Sequence, residues 1–169
     1  MERLTSDLIE LATRQNFAFW LAMGKVVRGW ARSALGNTAE GLSRIEDGID
    51  EVRASGLVSW MSYFLALKAE ALYLANRASE AVQATTEAEA LVRSMGGRYL
   101  SADLHRLRGV FLVAMAADDT QIETSFREAI RIAREQKSVS LEKRAEATYA
   151  EYRRQKASGS GGRGFRLPL

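Results

Sequence analysis

The chain has no cysteine, one proline and one histidine among its 169 residues. Without a thiol, disulfides, thiolate metal sites and cysteine nucleophiles are excluded together, and the composition suits a reducing compartment. With His105 alone, no multi-histidine metal centre can be assembled within one chain, and only one imidazole could activate a nucleophile. No cofactor, metal or catalytic residue is therefore expected. The single proline, Pro168, leaves nothing before the last two residues to interrupt a helix by removing an amide donor. Long apolar runs are also missing. The strongest, 17–23, is too short to cross a bilayer and follows Glu2, Asp7 and Glu10, which spoil the basic start of a leader. A cytoplasmic protein with no membrane partner is the expectation.

Charge of one sign is scarce as well. The formal net charge of +3 falls to +1 once Arg163 and Arg166 of the tail are set aside. Acid and base are mixed along the body, as on a solvated helical surface rather than a nucleic-acid footprint. At 47% hydrophobic and 27% charged residues, the chain can bury the core of an ordinary soluble domain.

What the sequence does have is a 40-residue period. Gly29, Ala69 and Gly109 are evenly spaced, and the same offset pairs Trp20 with Trp60 and Leu100, and Gly56 with Gly96. A fixed period of this size marks stacked repeats. Apolar positions three and four apart, interrupted at Gln15-Asn16, Gly36-Asn37, Ser55-Gly56, Asn76, Gly96-Gly97 and Asp118-Asp119, predict helices over 4–14, 17–35, 38–54, 57–75, 78–95, 99–116, 121–136 and 139–156. No strand pattern competes. Thr38, Ser138 and Thr120 stand where an N-cap hydroxyl would accept free amides, with Glu123 completing a capping box after Thr120.

Within a unit, Gly29, Gly36, Gly41, Ile45 and Gly48 form a ladder of mostly small residues, matched by Ala69, Asn76, Ala81, Thr85 and Ala88, and then by Gly109, Ala116, Ile122, Phe126 and Ala129 with one residue added in the turn. This spacing suits a tetratricopeptide helix pair, where close approach requires little side chain. HEAT and armadillo arrays have periods in the forties too, but the proline of many of their first helices is missing. The expected fold is all-α, a right-handed α-solenoid of tetratricopeptide-like hairpins with about eight helices in one domain, 1–156. It would hold a half repeat at 4–14, repeats at 17–54, 57–95 and 98–136, and a half repeat at 139–156, followed by a Gly/Ser/Arg-rich tail at 157–169. Half repeats leave stacking faces open, which predicts a larger parent architecture or a homo-oligomer through the terminal helices.

Chemical motifs are weak. Residues 159–164 match G-x-G-x-x-G formally, but they follow a helix and the chain ends five residues later, so a flexible tail is the better reading. Gly24-Lys25 precedes Val26, not Ser or Thr, so no phosphate loop forms there. His105 sits mid-helix and reads as a packing histidine bonded to a carbonyl or carboxylate. The groove is the stronger candidate. The first helix of each tetratricopeptide pair lines the concave side, which selects Met23, Val26, Trp30 and Ser33; Tyr63, Ala66, Glu70 and Tyr73; Asp103, Arg106, Val110 and Val113; and Arg144, Ala147, Glu151 and Arg154. The row passes from aromatic to charged, suiting a peptide or helix with an apolar segment and an acidic end. The Lys and Asn clamp of chaperone-binding relatives is not reproduced.

Gly29-Trp30-Ala31, Gly36 with Glu40-Gly41, residues 104–109 (LHRLRG), 126–129 (FREA), 132–136 (IAREQ) and 141–145 (LEKRA) resemble the C-terminal tetratricopeptide region of large bacterial adenylate/guanylate cyclase-like and predicted-ATPase regulators, over about residues 4–152. The resemblance implies a non-catalytic sensor or scaffold that follows catalytic or DNA-binding and nucleotide-binding domains. A protein-interaction module binding a signalling partner in its groove is the leading expectation. A regulatory fragment with nucleotide-linked activity is the alternative. Nucleic-acid binding through the tail with Arg153, Arg154 and Lys156 is the least favoured.

Overall fold

The computed structural model describes residues 18–56, 58–95 and 98–158. Among these residues the protein is all-helical, with no strand. The expected helix at 4–14 and the tail beyond Ser158 lie outside the described residues. The chain divides into two compact units, 1–75 and 76–169. That division falls inside the expected 57–95 repeat, between its two helices.

The first unit contains α1 (Ala18–Ala34), α2 (Thr38–Ser55), a 3-10 turn at Val58–Trp60 and α3 (Met61–Leu74). Helices α1 and α2 form a hairpin whose seam is made of glycine. A Cβ on Gly29 would lie 2.6 Å from the Gly41 carbonyl and 2.8 Å from Ile45, and one on Gly48 would lie 2.7 Å from both the Ala22 carbonyl and Val26. Side chains are thus excluded along the seam. Val26, Leu42, Ile45, Ile49 and Val52 close the interior around it, and α3 adds buried Met61, Phe64 and Leu65. The Phe64 ring packs on Phe19 with centroids 6.3 Å apart, tying α3 to α1.

The second unit contains α4 (Ala78–Met95), a 3-10 turn at Arg98–Leu100, α5 (Ser101–Ala114), α6 (Asp119–Glu135) and α7 (Val139–Ala157). Helix α5 packs against α4, α6 and α7. A Cβ on Gly109 would meet the Phe126 ring at 2.7 Å, so the small residue of α5 receives the large residue of α6. Phe126 in turn stacks on Tyr149 of α7 with centroids 5.5 Å apart. Ala102, Ile132 and Ala133 form a further buried cluster, with Leu141 packed against it.

The 40-residue period survives as backbone geometry. The first helices end at Ala34, Leu74 and Ala114, α2 and α4 start at Thr38 and Ala78, and α3 and α5 start at Met61 and Ser101. Gly36, Asn76 and Ala116 all adopt left-handed conformations, with φ of 96°, 61° and 51°. At Gly36 and Ala116 the exits are Schellman turns. The amides of Gly36 and Asn37 donate to the carbonyls of Ser33 and Arg32, and those of Ala116 and Ala117 donate to Val113 and Leu112. Lys137, with φ 54°, closes α6 the same way through Arg134 and Ala133.

The caps differ from the sequence expectation. Asn37, not Thr38, is the N-cap of α2 and makes no side-chain cap bond, and Ser138 caps α7 in position only. Asp118 caps α6, its carboxylate accepting from the Thr120 amide at 2.9 Å. A carboxylate two residues ahead satisfies that amide, so Thr120 lies inside the helix and no capping box forms. Glu123 instead pairs with Arg127 at 2.5 Å.

Glycines in one helix have opposite roles. Gly24 has open space where its Cβ would stand, so Gly24→Ala should raise stability by about 0.5–1 kcal/mol through helix propensity. Gly29→Ala should lower it by about 1–3 kcal/mol through overpacking. Ala116→Gly should add about 1 kcal/mol by relieving the left-handed penalty. Urea unfolding followed by circular dichroism measures all three, and equal shifts for Gly24→Ala and Gly29→Ala would contradict the seam.

Candidate functional site

The sequence-selected groove residues fall on both units, and each unit is described by itself. In the first unit, Trp30 on α1 donates its indole N–H to Glu70 Oε2 on α3 at 2.6 Å. These residues are 40 apart, one period of the sequence spacing, and their hydrogen bond joins α1 to α3. Tyr63 lies edge-on to Trp60 with centroids 6.2 Å apart, and both Tyr63 and Tyr73 are half-buried. Burial pushes the Tyr73 hydroxyl above its ordinary pKa. Val26 is fully buried and presents no surface, as are Ser33 and Ala66 to within a few percent, while Met23 is half-buried. The accessible part of this face is therefore Met23, Trp30, Tyr63, Glu70 and Tyr73.

In the second unit, Arg106 is only 1% exposed, the largest fully buried side chain among the described residues. Its Nε donates to Asp103 Oδ1 at 2.7 Å, and its Nη1 has no hydrogen-bond partner. Arg144 on α7 reaches the same carboxylate oxygen at 3.8 Å. One acid is thus shared by a buried and an exposed guanidinium. Val110 and Val113 are interior. Arg154 is exposed and folds back onto Glu151 of its own helix. The structure therefore brings Asp103, Arg106 and Arg144 together, and leaves Arg154 apart.

Two groups carry chemistry that the groove template did not select. At the α6–α7 end, Tyr152 donates its hydroxyl to Asp119 at 2.6 Å and Lys156 pairs with the same acid at 2.7 Å. The lysine and tyrosine bonds hold the Asp119 carboxyl below its ordinary pKa, and burial with that bond pushes the Tyr152 hydroxyl up. Lys156 is thus engaged internally, and Arg153 lies over the Tyr149 ring, which leaves fewer free cations for a phosphate backbone. The second group lines a cleft between α4, α5 and α6 that includes Glu89, Arg98 and His105. Glu89 and Arg98 escaped notice because the template considers first helices only. Nothing in the sequence shows that Glu89, Arg93 and Arg98 share a surface with His105.

His105 is half-buried and lines that cleft. Burial lowers its pKa from the ordinary 6.5, and this outweighs the attraction of Glu89 on α4 and Glu128 on α6, while Arg108 and Arg131 push in the same direction as burial. Among the described residues no group of three or more histidines and carboxylates is placed to hold a metal ion. None of the helices is long and apolar enough to cross a membrane, again among the described residues.

No family model matches the chain, and no solved structure matches it. An uncharacterized protein of Rhizobium meliloti (strain 1021) is similar to it, with 26% identity over 153 residues. That match covers 89% of this chain and 15% of the relative's length.

The lowered His105 pKa fixes the sign of a pH effect. The unfolded chain takes its proton first, so this contribution to stability is complete above pH 6.5 and is lost as the pH falls from 6.5 towards the lower folded value. His105→Gln should flatten the dependence of the urea midpoint on pH in that window. A slope unchanged by the substitution would show that the buried imidazole does not contribute.

Proposed function

We propose that the chain is a tetratricopeptide-like interaction module, a set of helix hairpins stacked as an α-solenoid, that binds a peptide or helix of a signalling partner. The observation that carries this reading is the period carried by the backbone. Glycines sit where α1 meets α2 and where α5 meets α6, left-handed exits recur at 36, 76 and 116, and Trp30 and Glu70, 40 residues apart, bond to one another. Repeats that each bury one face against their neighbours leave the opposite face of the first helices for a ligand.

The chemistry of that face favours a protein partner over a small substrate. The first unit offers Trp30, Tyr63 and Tyr73, which supply area at small entropic cost and suit an apolar segment. The second offers Arg144 beside Asp103, which suits an acidic residue through bidentate pairing. The likeness to the rhizobial protein, which is several times longer, is consistent with such a module serving within a larger architecture. Regulation of a cyclase-like or ATPase-like partner follows the resemblance in the sequence and belongs to the same proposal, as does self-association through terminal half repeats.

The test compares proteins captured by the chain and by the Trp30→Ala/Tyr73→Ala variant, followed by mass spectrometry and titration of the enriched partner. At hot-spot energies of about 1–2 kcal/mol per residue, the double variant should bind at least about tenfold more weakly while retaining its helical circular dichroism. Undiminished capture by a folded variant would reject the face. Thermal stabilisation by ATP or GTP, which native-state binding requires, would favour the nucleotide-linked alternative instead.

A further inference from the structure

The cleft on the second unit has a volume of about 400 Å³ and opens between α4, the start of α5 and α6. Its apolar lining is Val92, Leu104 and Ile132. Its polar lining is uneven. Arg131 is neutralised by Glu128 at 2.5 Å and by Glu135. Arg93 and Arg98, both exposed at the cleft, have no carboxylate partner among the described residues. The other arginines of this unit mostly have one: Arg106, Arg108, Arg127, Arg134, Arg144 and Arg154 are all ion-paired.

Glu89 is the complement. It is 9% exposed, Oε2 accepts from Arg108 at 3.4 Å, and Oε1 is buried without any hydrogen-bond partner. A buried carboxylate oxygen left without a donor costs free energy, and native structures keep few of them. Ser101 and His105 lie along the same wall. The cleft thus presents two exposed guanidiniums without a carboxylate partner among the described residues, and one buried Glu89 oxygen without a donor.

We propose that this cleft binds a small zwitterionic ligand, whose carboxylate or phosphate pairs with Arg93 and Arg98 and whose ammonium group donates to Glu89. Guanidinium forks match either oxyanion, so the anionic end is defined by charge and planarity of the donors rather than by the central atom. The volume lies in the range of metabolite sites, and Val92, Leu104 and Ile132 supply its apolar walls. A ligand with only one charged end satisfies only half of the site. This makes the cleft separate from the peptide face, because none of its lining residues belongs to that face.

His105 provides a reporter that needs no label, since its imidazole is the only one in the chain. The experiment follows the His105 ring proton resonances of the full chain during titration with O-phosphoethanolamine and with β-alanine, which distinguish a phosphate from a carboxylate end. Inorganic phosphate and ethanolamine serve as the half-ligands. A saturable shift is expected with at least one zwitterion, with each half-ligand at least tenfold weaker. Arg93→Ala/Arg98→Ala should weaken the zwitterion at least tenfold. Glu89→Gln, close in shape, should weaken it similarly while leaving inorganic phosphate unaffected. Circular dichroism checks that both variants remain helical. No saturable shift with either zwitterion, or binding indifferent to the two arginines, would overturn the proposal.

Discussion

Backbone approaching backbone is the constraint on which the rest of the first unit depends. Gly29 and Gly41 lie so close that a Cβ on Gly41 would stand 2.5 Å from the Gly29 carbonyl and 2.1 Å from the Ser33 hydroxyl. The helices can meet there only because neither carries a side chain. Once they do, Val26 and Ile45 flank the seam and are driven into the interior, and Trp30 on the next turn comes within reach of Glu70. The second unit solves the same problem in the opposite way. Gly109 leaves a hollow and Phe126 fills it, so the hairpin is spaced by an aromatic ring rather than closed by contact. Packing density is preserved in both, since interiors admit no void the size of a ring and no overlap the size of a methyl.

That contrast explains how much of the fold was legible in the sequence. The helices were, because the breaks read at Gly36-Asn37 and Asn76 coincide with left-handed exits, while the third exit, Ala116, falls inside the helix expected over 99–116, which ends at Ala114. Ala116 is a poor residue for that conformation, yet two Schellman bonds hold it there. The position was readable from the period and not from the residue type. The caps were legible in part. Ser138 stands at the N-cap of α7 as expected, but Asn37 and Asp118, residue types at least as suited to capping as threonine, precede Thr38 and Thr120 and take the cap positions instead. The division at Ala75 was not legible either, because contact density is a property of packing and the repeat runs across it unbroken in sequence.

The candidate site was legible as a row of positions and only partly as a surface. Periodicity places residues on a helix face, but burial depends on what lies opposite, so Val26 and Val110 prove interior while Trp30 and Arg144 keep surface. His105 shows the same limit. A packing histidine was expected, and it is half-buried, yet the acids that attract it come from α4 and α6, 16 residues before it and 23 residues after it. No local window contains that information.

Positions one period apart also depart from one another. Positions 26, 66 and 106 are equivalent, and the first two hold valine and alanine at 0% and 5% exposure. A chain selecting only for stacking would keep the third apolar. Instead Arg106 is buried there with one carboxylate for its charge, and desolvating a guanidinium is costly unless its hydrogens are well satisfied. Asp103 must then serve two guanidiniums, Arg106 directly and Arg144 at 3.8 Å. Sharing weakens the hold on Arg144, whose head stays half-exposed and able to exchange Asp103 for another acid. Asp103 is therefore held closely by the buried guanidinium, at 2.7 Å, and only loosely by the exposed one, at 3.8 Å.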